Sequence, residues 1–256
     1  MKRVTAFVGS ARKKHTYNAV AQFLSNLQSM GDVETEIVRL SDYRIEICRG
    51  CKVCFEKGKE YCPLKDDRDA LIDKIMASDG VVFASPNYSF QVSALMKAFL
   101  DRLGFVFHRP RFFGKTYTSI VAQGIYGGGK IVDYLGFVGY ALGFNTVKGS
   151  CIMTMDPITE KQQRKIDKAL TAQATRYYAK LEKPGYPVPK LADLMFFRMS
   201  RTKIRLQLDD SSLDYRYYAD KGWLGSDFYY PTRLGPLKRG AGALFDSMFA
   251  RMTKAR

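Results

Sequence analysis

Val4-Thr5-Ala6-Phe7-Val8-Gly9-Ser10-Ala11-Arg12-Lys13-Lys14-His15-Thr16-Tyr17-Asn18 opens as a short, mostly apolar run. It passes through a basic turn into a helical stripe continued by Val20, Phe23, Leu24 and Leu27. A run that does not alternate with polar residues is buried on both faces, which is the habit of a parallel sheet. The same grammar recurs down the chain. Residues 33–40 precede Leu71, Ile72, Ile75 and Met76, with Asp66 or Asp67 placed to cap that helix. Residues 81–84 precede Val92, Leu95, Met96 and Phe99, and residues 116–122 precede an apolar stretch from 131 to 142. Residues 146–154 precede Ile166, Ala169, Leu170, Ala174 and Tyr177. Five strands, each followed by a helix, predict an α/β three-layer sandwich whose five-stranded parallel sheet runs 2-1-3-4-5. Ligands of such sheets bind past the carboxyl ends of the strands, so the loops after strands 1, 3 and 4 carry the functional expectation.

The 256 residues hold 41 Lys and Arg against 25 Asp and Glu, a formal net charge of +16, and are 46% hydrophobic. That composition excludes wholesale disorder, and five cysteines are too few to staple a secreted scaffold. Met1-Lys2-Arg3 and the short run after it do not form a leader peptide, and the apolar stretch 132–144 is interrupted by Asp133, Gly136 and Gly139. A cytoplasmic protein is expected. Its charge calls for an anionic partner: a phosphate-bearing ligand, an acidic protein or an anionic surface. No nucleic-acid-binding module is recognisable. The pattern stops at Lys183-Pro184-Gly185-Tyr186-Pro187-Val188-Pro189, dividing a domain at 1–184 from an extension at 185–256. The extension carries Leu191, Leu194, Met195 and Met199 at helical spacing, a Tyr- and Asp-rich stretch with Trp223, and a last stripe of Leu237, Ala241, Leu244, Phe245, Met248 and Met252. Lys238, Arg239, Arg251, Lys254 and Arg256 flank that stripe. Docking on the parent domain or on another subunit is its expected use, with peripheral contact to an anionic membrane as the alternative.

The turn after strand 1 aims backbone N–H groups and a helix N-terminus at one point, an anion site by construction. Ser10 and Thr16 add hydroxyls and Arg12 a planar fork. It fits neither the dinucleotide fingerprint nor a Walker A motif. After strand 4, Gln123-Gly124-Ile125-Tyr126-Gly127-Gly128-Gly129-Lys130-Ile131 nearly spells a Walker A, but Ile131 stands where the magnesium-binding hydroxyl belongs. Its glycines suit close approach of backbone to a flat ring.

Gly9-Ser10-x-Arg12 after the first strand, with Ser85-Pro86-Asn87-Tyr88 and the run Lys97 to Arg102 after the third, resembles the NADPH-dependent FMN reductase group of flavodoxin-like proteins. The resemblance covers residues 1 to about 184. It implies a flavodoxin-like fold that binds FMN. Ser10, Arg12 and Thr16, with Tyr17 and Asn18 beside them, would hold the phosphate. Ser85, Pro86, Asn87, Tyr88, Gln123, Gly124 and Gly127 would lie at the isoalloxazine ring.

Cys48-x2-Cys51-x2-Cys54-x7-Cys62, followed by Pro63, sets four thiols within fifteen residues. The compact C-x2-C-x2-C run suits an iron–sulfur cluster; structural zinc, which prefers two separated pairs, is second, and ordinary unligated thiols are third. The spacing also resembles the motif of the iron–sulfur flavoproteins, a branch of the same family, which implies a [4Fe-4S] cluster taking electrons from FMN. Cys151, inside strand 5, is expected to be a small core residue.

The expectation is an FMN-dependent NAD(P)H oxidoreductase with no catalytic acid, base or nucleophile of its own. Hydride would go to flavin N5, and electrons onward to a small acceptor such as a quinone or, through the cluster, to an acidic redox protein. A dimer or tetramer is expected. The alternatives are a pure electron carrier and a zinc-stabilised binding module.

Overall fold

The computed structural model describes residues 1–183 and 185–254. Pro184 of the expected linker and Arg256 of the basic flank lie outside them, as does the Lys254 side chain. The elements run β1 (Lys2–Val8), α1 (His15–Gln28), β2 (Val33–Arg39), a 3-10 turn at Leu40–Asp42, α2 (Val53–Glu56), a second 3-10 turn at Lys59–Tyr61, α3 (Arg68–Met76), β3 (Gly80–Pro86), α4 (Ala94–Arg102), α5 (Gly104–His108), β4 (Thr116–Gln123) and α6 (Gly128–Ala141). They continue with β5 (Asn145–Thr146), β6 (Ser150–Met153), α7 (Glu160–Leu181), α8 (Leu191–Gln207), α9 (Leu213–Asp220) and α10 (Pro236–Lys254).

The sheet is parallel throughout, in the order β2-β1-β3-β4-β5, with β6 also paired to β4. The order is the expected one, but the fifth strand is divided at 147–149. Gly149 lies flat on β4, where a Cβ would sit 2.3 Å from Ser119 Oγ and 2.4 Å from the Ser119 carbonyl oxygen. The pairing survives around the break: Val147 N–H donates to the Tyr117 carbonyl at 2.7 Å, and the Thr118 hydroxyl to the Val147 carbonyl at 3.1 Å.

Burial on both faces explains the unbroken apolar runs. On one face Val4, Ala6, Val8, Val82, Ala84 and Ile120 pack with Phe23, Leu27, Leu170 and Tyr177 of α1 and α7. On the other, Phe7, Phe83 and Tyr117 meet Phe99 and Phe144 in a chain of edge and stacked rings 5.2–6.5 Å apart. Each such buried ring contributes about 1.5–3 kcal/mol.

The chain forms two compact units, one of residues 1–49 and 64–185, the other of residues 50–63 and 186–256. The second has a core of its own. There α8 packs against α10, and α9 packs against α8 and α2. Trp223 donates its indole N–H to the Tyr229 carbonyl at 2.7 Å and lies edge-on to Tyr217, Tyr218 and Tyr229. Burial pushes the Tyr218 hydroxyl far above its usual range, and half-buried Tyr230 is pushed up to about 12.

Asp246 of α10 fastens α8 with both oxygens: one carboxylate oxygen accepts from Arg198 at 2.6 Å and Arg201 at 2.5 Å, the other from Thr202 at 3.0 Å. Both arginines are buried; without the carboxylate Arg198 keeps Asp227 at 2.6 Å, but Arg201 loses the carboxylate that balances its buried charge. Asp246→Asn is expected to cost about 3 kcal/mol, the low end for a broken buried pair because Asp246 keeps some water. Denaturation with limited proteolysis reads it: cleavage within 186–254 should accelerate while the sheet unit stays protected. An unchanged midpoint and cleavage pattern would contradict the clamp.

Candidate functional site

The carboxyl ends of β1, β3 and β4 present three loops. At the first, Gly9 donates its N–H to the Ala84 carbonyl at 2.8 Å, and its own carbonyl accepts the Ser93 hydroxyl at 2.5 Å. Only glycine fits here, since a Cβ would lie 2.8 Å from both Met96 Cβ and Ser93 Oγ. The same Ser93 hydroxyl caps α4 by accepting the Met96 N–H at 3.2 Å. Ser93 was not among the expected site residues, although its place before an apolar stripe is a cap signal.

Beyond Gly9, Ser10 is buried, and its hydroxyl donates to the Arg12 carbonyl at 3.1 Å. α1 then starts at His15 with no side-chain cap and no acidic residue in its first turn. The first N–H groups of a helix have no partner within it, and the helix dipole adds partial positive charge. Arg12, Lys13 and Lys14 are exposed around this end, Lys13 lying over the half-buried Tyr17 ring at 5.8 Å, while Thr16 is buried and Asn18 exposed. The donor set is open to an anion and matches a phosphate. His15 reaches across to Asp156, Nε2 to Oδ2 at 3.1 Å, linking this turn to the loop after β6. That pairing had no local sequence signal.

At the second loop, Ser85 and Pro86 are the last residues of β3 rather than the start of a loop, paired with Val121 and Ala122 of β4. Ser85 is fully buried. Its hydroxyl donates to the Pro86 carbonyl at 2.8 Å and accepts the Ser93 N–H at 2.9 Å, closing the loop from inside. Asn87 donates its side-chain amide to the Tyr126 carbonyl at 2.9 Å, tying the second loop to the third, and its buried Oδ1 has no hydrogen-bond partner among the described residues. Tyr88 is half exposed, and its hydroxyl accepts from Arg12 at 3.4 Å, which joins the second loop to the first.

In the third loop, the Gln123 side-chain carbonyl accepts the Gly128 N–H at 2.7 Å and so opens α6. A Cβ on Gly124 would meet nothing within 4 Å, leaving room for a flat group, and Gly127 turns at φ +93°. Ile131 is in the core, so no hydroxyl faces this turn in the manner of a Walker A. Cys151 packs on Gly128 from β6, half-buried, and burial pushes its thiol up.

The three loops thus join an anion end at α1 to an end bordered by Tyr88, Gly124 and Gly127, an arrangement that fits a flavin mononucleotide. The sequence profile of the NADPH-dependent FMN reductases matches residues 2–156. This chain belongs to the NADPH-dependent FMN reductase family. An iron-sulfur flavoprotein of Archaeoglobus fulgidus is 30% identical over 236 residues, covering 87% of this chain and all of that protein. One of Methanocaldococcus jannaschii is 34% identical over 100 residues, 39% of this chain and 51% of the relative. Among solved structures, RosB with a bound 8-demethyl-8-formylriboflavin-5'-phosphate aligns over 92% of both chains at 12% identity and TM-score 0.60. A flavone reductase aligns over 72% of this chain and 66% of its own at 17% identity and TM-score 0.56. These likenesses show the flavodoxin-like fold. As a member of this reductase family, the chain is an FMN-dependent oxidoreductase.

In this FMN reductase the second family motif has a structural share. Arg102 is buried and holds the buried Asp66 through two hydrogen bonds of 2.8 and 2.9 Å; Lys97 pairs with Asp101 on the surface. Asp66 also accepts the Glu46 N–H at 2.9 Å, and Asp67, which precedes α3, accepts the Arg44 N–H at 2.7 Å instead of capping that helix. This pair of aspartates therefore pins the residues just before and just after the cysteine stretch.

Cys48 and Cys51 are exposed, Cys54 is half-buried and Cys62 buried. Among the described residues, no three His, Cys, Asp or Glu side chains come together in a group able to hold a metal ion. The donor chemistry of the four thiols suits a cluster; their arrangement here does not present one. Also among the described residues, no helix is long and apolar enough to cross a membrane.

Proposed function

We propose that this FMN reductase takes a hydride from NAD(P)H and passes the electrons to a small acceptor such as a quinone. The observation that carries this reading is the uncapped, acid-free start of α1, with Ser10 and Arg12, joined through Arg12–Tyr88 to the glycine-lined loops. Bound FMN supplies the redox chemistry, accepting hydride at N5. The chain supplies position and charge. Ser10, Arg12, Thr16 and the first-turn N–H groups of α1 hold the phosphate, with Tyr17 and Asn18 beside them. Asn87 fixes the two ring loops to each other, and its buried Oδ1 awaits a donor. Tyr88, Gly124 and Gly127 border the ring, while Ser85, Pro86 and Gln123 shape those loops from behind. No side chain needs to exchange a proton with substrate.

In the same proposal Cys48, Cys51, Cys54 and Cys62 bind a [4Fe-4S] cluster. The C-x2-C-x2-C spacing and the name shared by the relatives support it, and the arrangement of the thiols in this structure does not. The excess positive charge suits anionic nucleotides and an acidic redox partner, and copies of the chain assemble as dimers or tetramers.

Anaerobic purification tests the reading. The expected protein is yellow, is bleached by NADH or NADPH, and carries iron and sulfide that Cys51→Ala removes while flavin remains. Flavin without iron would leave a simple reductase; iron with flavin that no nicotinamide reduces would make the chain an electron carrier. A colourless, zinc-loaded protein would overturn the proposal.

A further inference from the structure

Two large aromatic side chains stand exposed at the ring end of the site. Phe90 and Tyr126 come from different loops, are 60% and 66% exposed, and their rings lie 5.1 Å apart at 39°. Apolar side chains placed in water gain nothing there, and this pair is held out at a cost. Tyr88 and Gln91 close a two-hydrogen-bond turn, each bond 3.0 Å, whose central residues Ser89 and Phe90 have φ of +50° and +61°. Positive φ at both centres is the requirement of a type I′ turn, normally met by Asn-Gly. With Ser-Phe instead, both residues are held in the strained left-handed region. The third loop makes room for the result. A Cβ on Gly127 would come within 2.9 Å of the Phe90 ring, so glycine there lets the ring lie over its backbone. Asn87, bonded to the Tyr126 carbonyl, fixes the spacing of the two loops.

We propose that Phe90 and Tyr126 form a stacking platform for the electron acceptor and select flat, conjugated ring systems of the quinone class. The platform rests on the flavin reading of the same site but lies on residues not needed to hold phosphate or ring. Flat aromatic faces stack in offset or tilted pairs at ring separations of 4.5–7 Å, and both side chains are exposed enough to meet a third ring.

The test is calorimetric binding of anthraquinone-2-sulfonate to the FMN-loaded protein, beside reduction of menadione and of ferricyanide. Phe90→Ala and Tyr126→Ala should each weaken anthraquinone-2-sulfonate binding about 5- to 10-fold. Each should raise KM for menadione while leaving kcat, and the rate with octahedral ferricyanide, unchanged. Tyr126→Phe should retain wild-type binding. Constants within twofold of wild type in both alanine variants would overturn the proposal. So would an equal loss of FMN affinity, which would make the pair a cofactor contact. A protein that takes up no FMN would sink the function proposed above instead, and the platform is then judged by the same titration of the apoprotein.

Discussion

Asp66→Asn lowers the unfolding free energy by about 3–5 kcal/mol, the cost of removing one partner of a buried ion pair. Both side chains are nearly inaccessible, 1% exposed for Asp66 and 4% for Arg102, so the guanidinium left behind cannot recover its charge–charge attraction from water. Burial by itself would raise the Asp66 pKa. The hydrogen bonds and charge of Arg102, with the N–H groups of Glu46 and Arg68, outweigh that and hold it below the ordinary carboxylate range. The folded state therefore binds this proton less readily than the unfolded chain. Its contribution is complete above the unfolded pKa of about 3.9 and is lost as pH falls through the lower folded value. Denaturant titrations should show a constant gap between wild type and Asp66→Asn at neutral pH that narrows below about pH 4. A gap that widened on acidification would reverse the assignment.

Gly9→Ala is the second large effect, and it strikes the site directly. The new methyl meets Met96 Cβ and Ser93 Oγ at 2.8 Å. The first is anchored on α4, and the second already bonds the Gly9 carbonyl and the Met96 N–H. Neither can swing away, so the turn before α1 must move off α4. Overpacking of this kind costs about 1–3 kcal/mol, and the displaced turn no longer aligns Ser10, Arg12 and the start of α1. A fall in FMN affinity of about tenfold or more is expected by fluorescence titration, with far-UV circular dichroism unchanged. Wild-type affinity in Gly9→Ala would mean that the turn does not hold the phosphate.

The sheet was legible because both of its faces are covered: β1, β3 and β4 show as uninterrupted apolar runs, and the order follows from the alternation of strands and helices. The division of the fifth strand was not, since only contact with Ser119 requires Gly149 to break the pairing. The three loops could be named from position, but the duties within them could not. Ser85 and Gln123 look like ligand contacts in sequence and spend their polar atoms on the loops themselves. Phe90 and Tyr126 escaped notice because exposed aromatics in turns have no period, and Ser89-Phe90 conceals a turn that Asn-Gly would announce. The grouping of 50–63 with the extension was equally hidden, because α2 is four residues long and meets α9 far along the chain.

The central claim is that the α1 end of the site binds a phosphate carried by a flavin. Competitive titration of the apoprotein with FMN and with riboflavin, which differ only in that phosphate, tests it most directly. Two or more charge-assisted hydrogen bonds should favour FMN by about 100-fold or more, and Arg12→Ala should remove much of that preference. Equal affinity for the two flavins, or a preference untouched by Arg12→Ala, would contradict it.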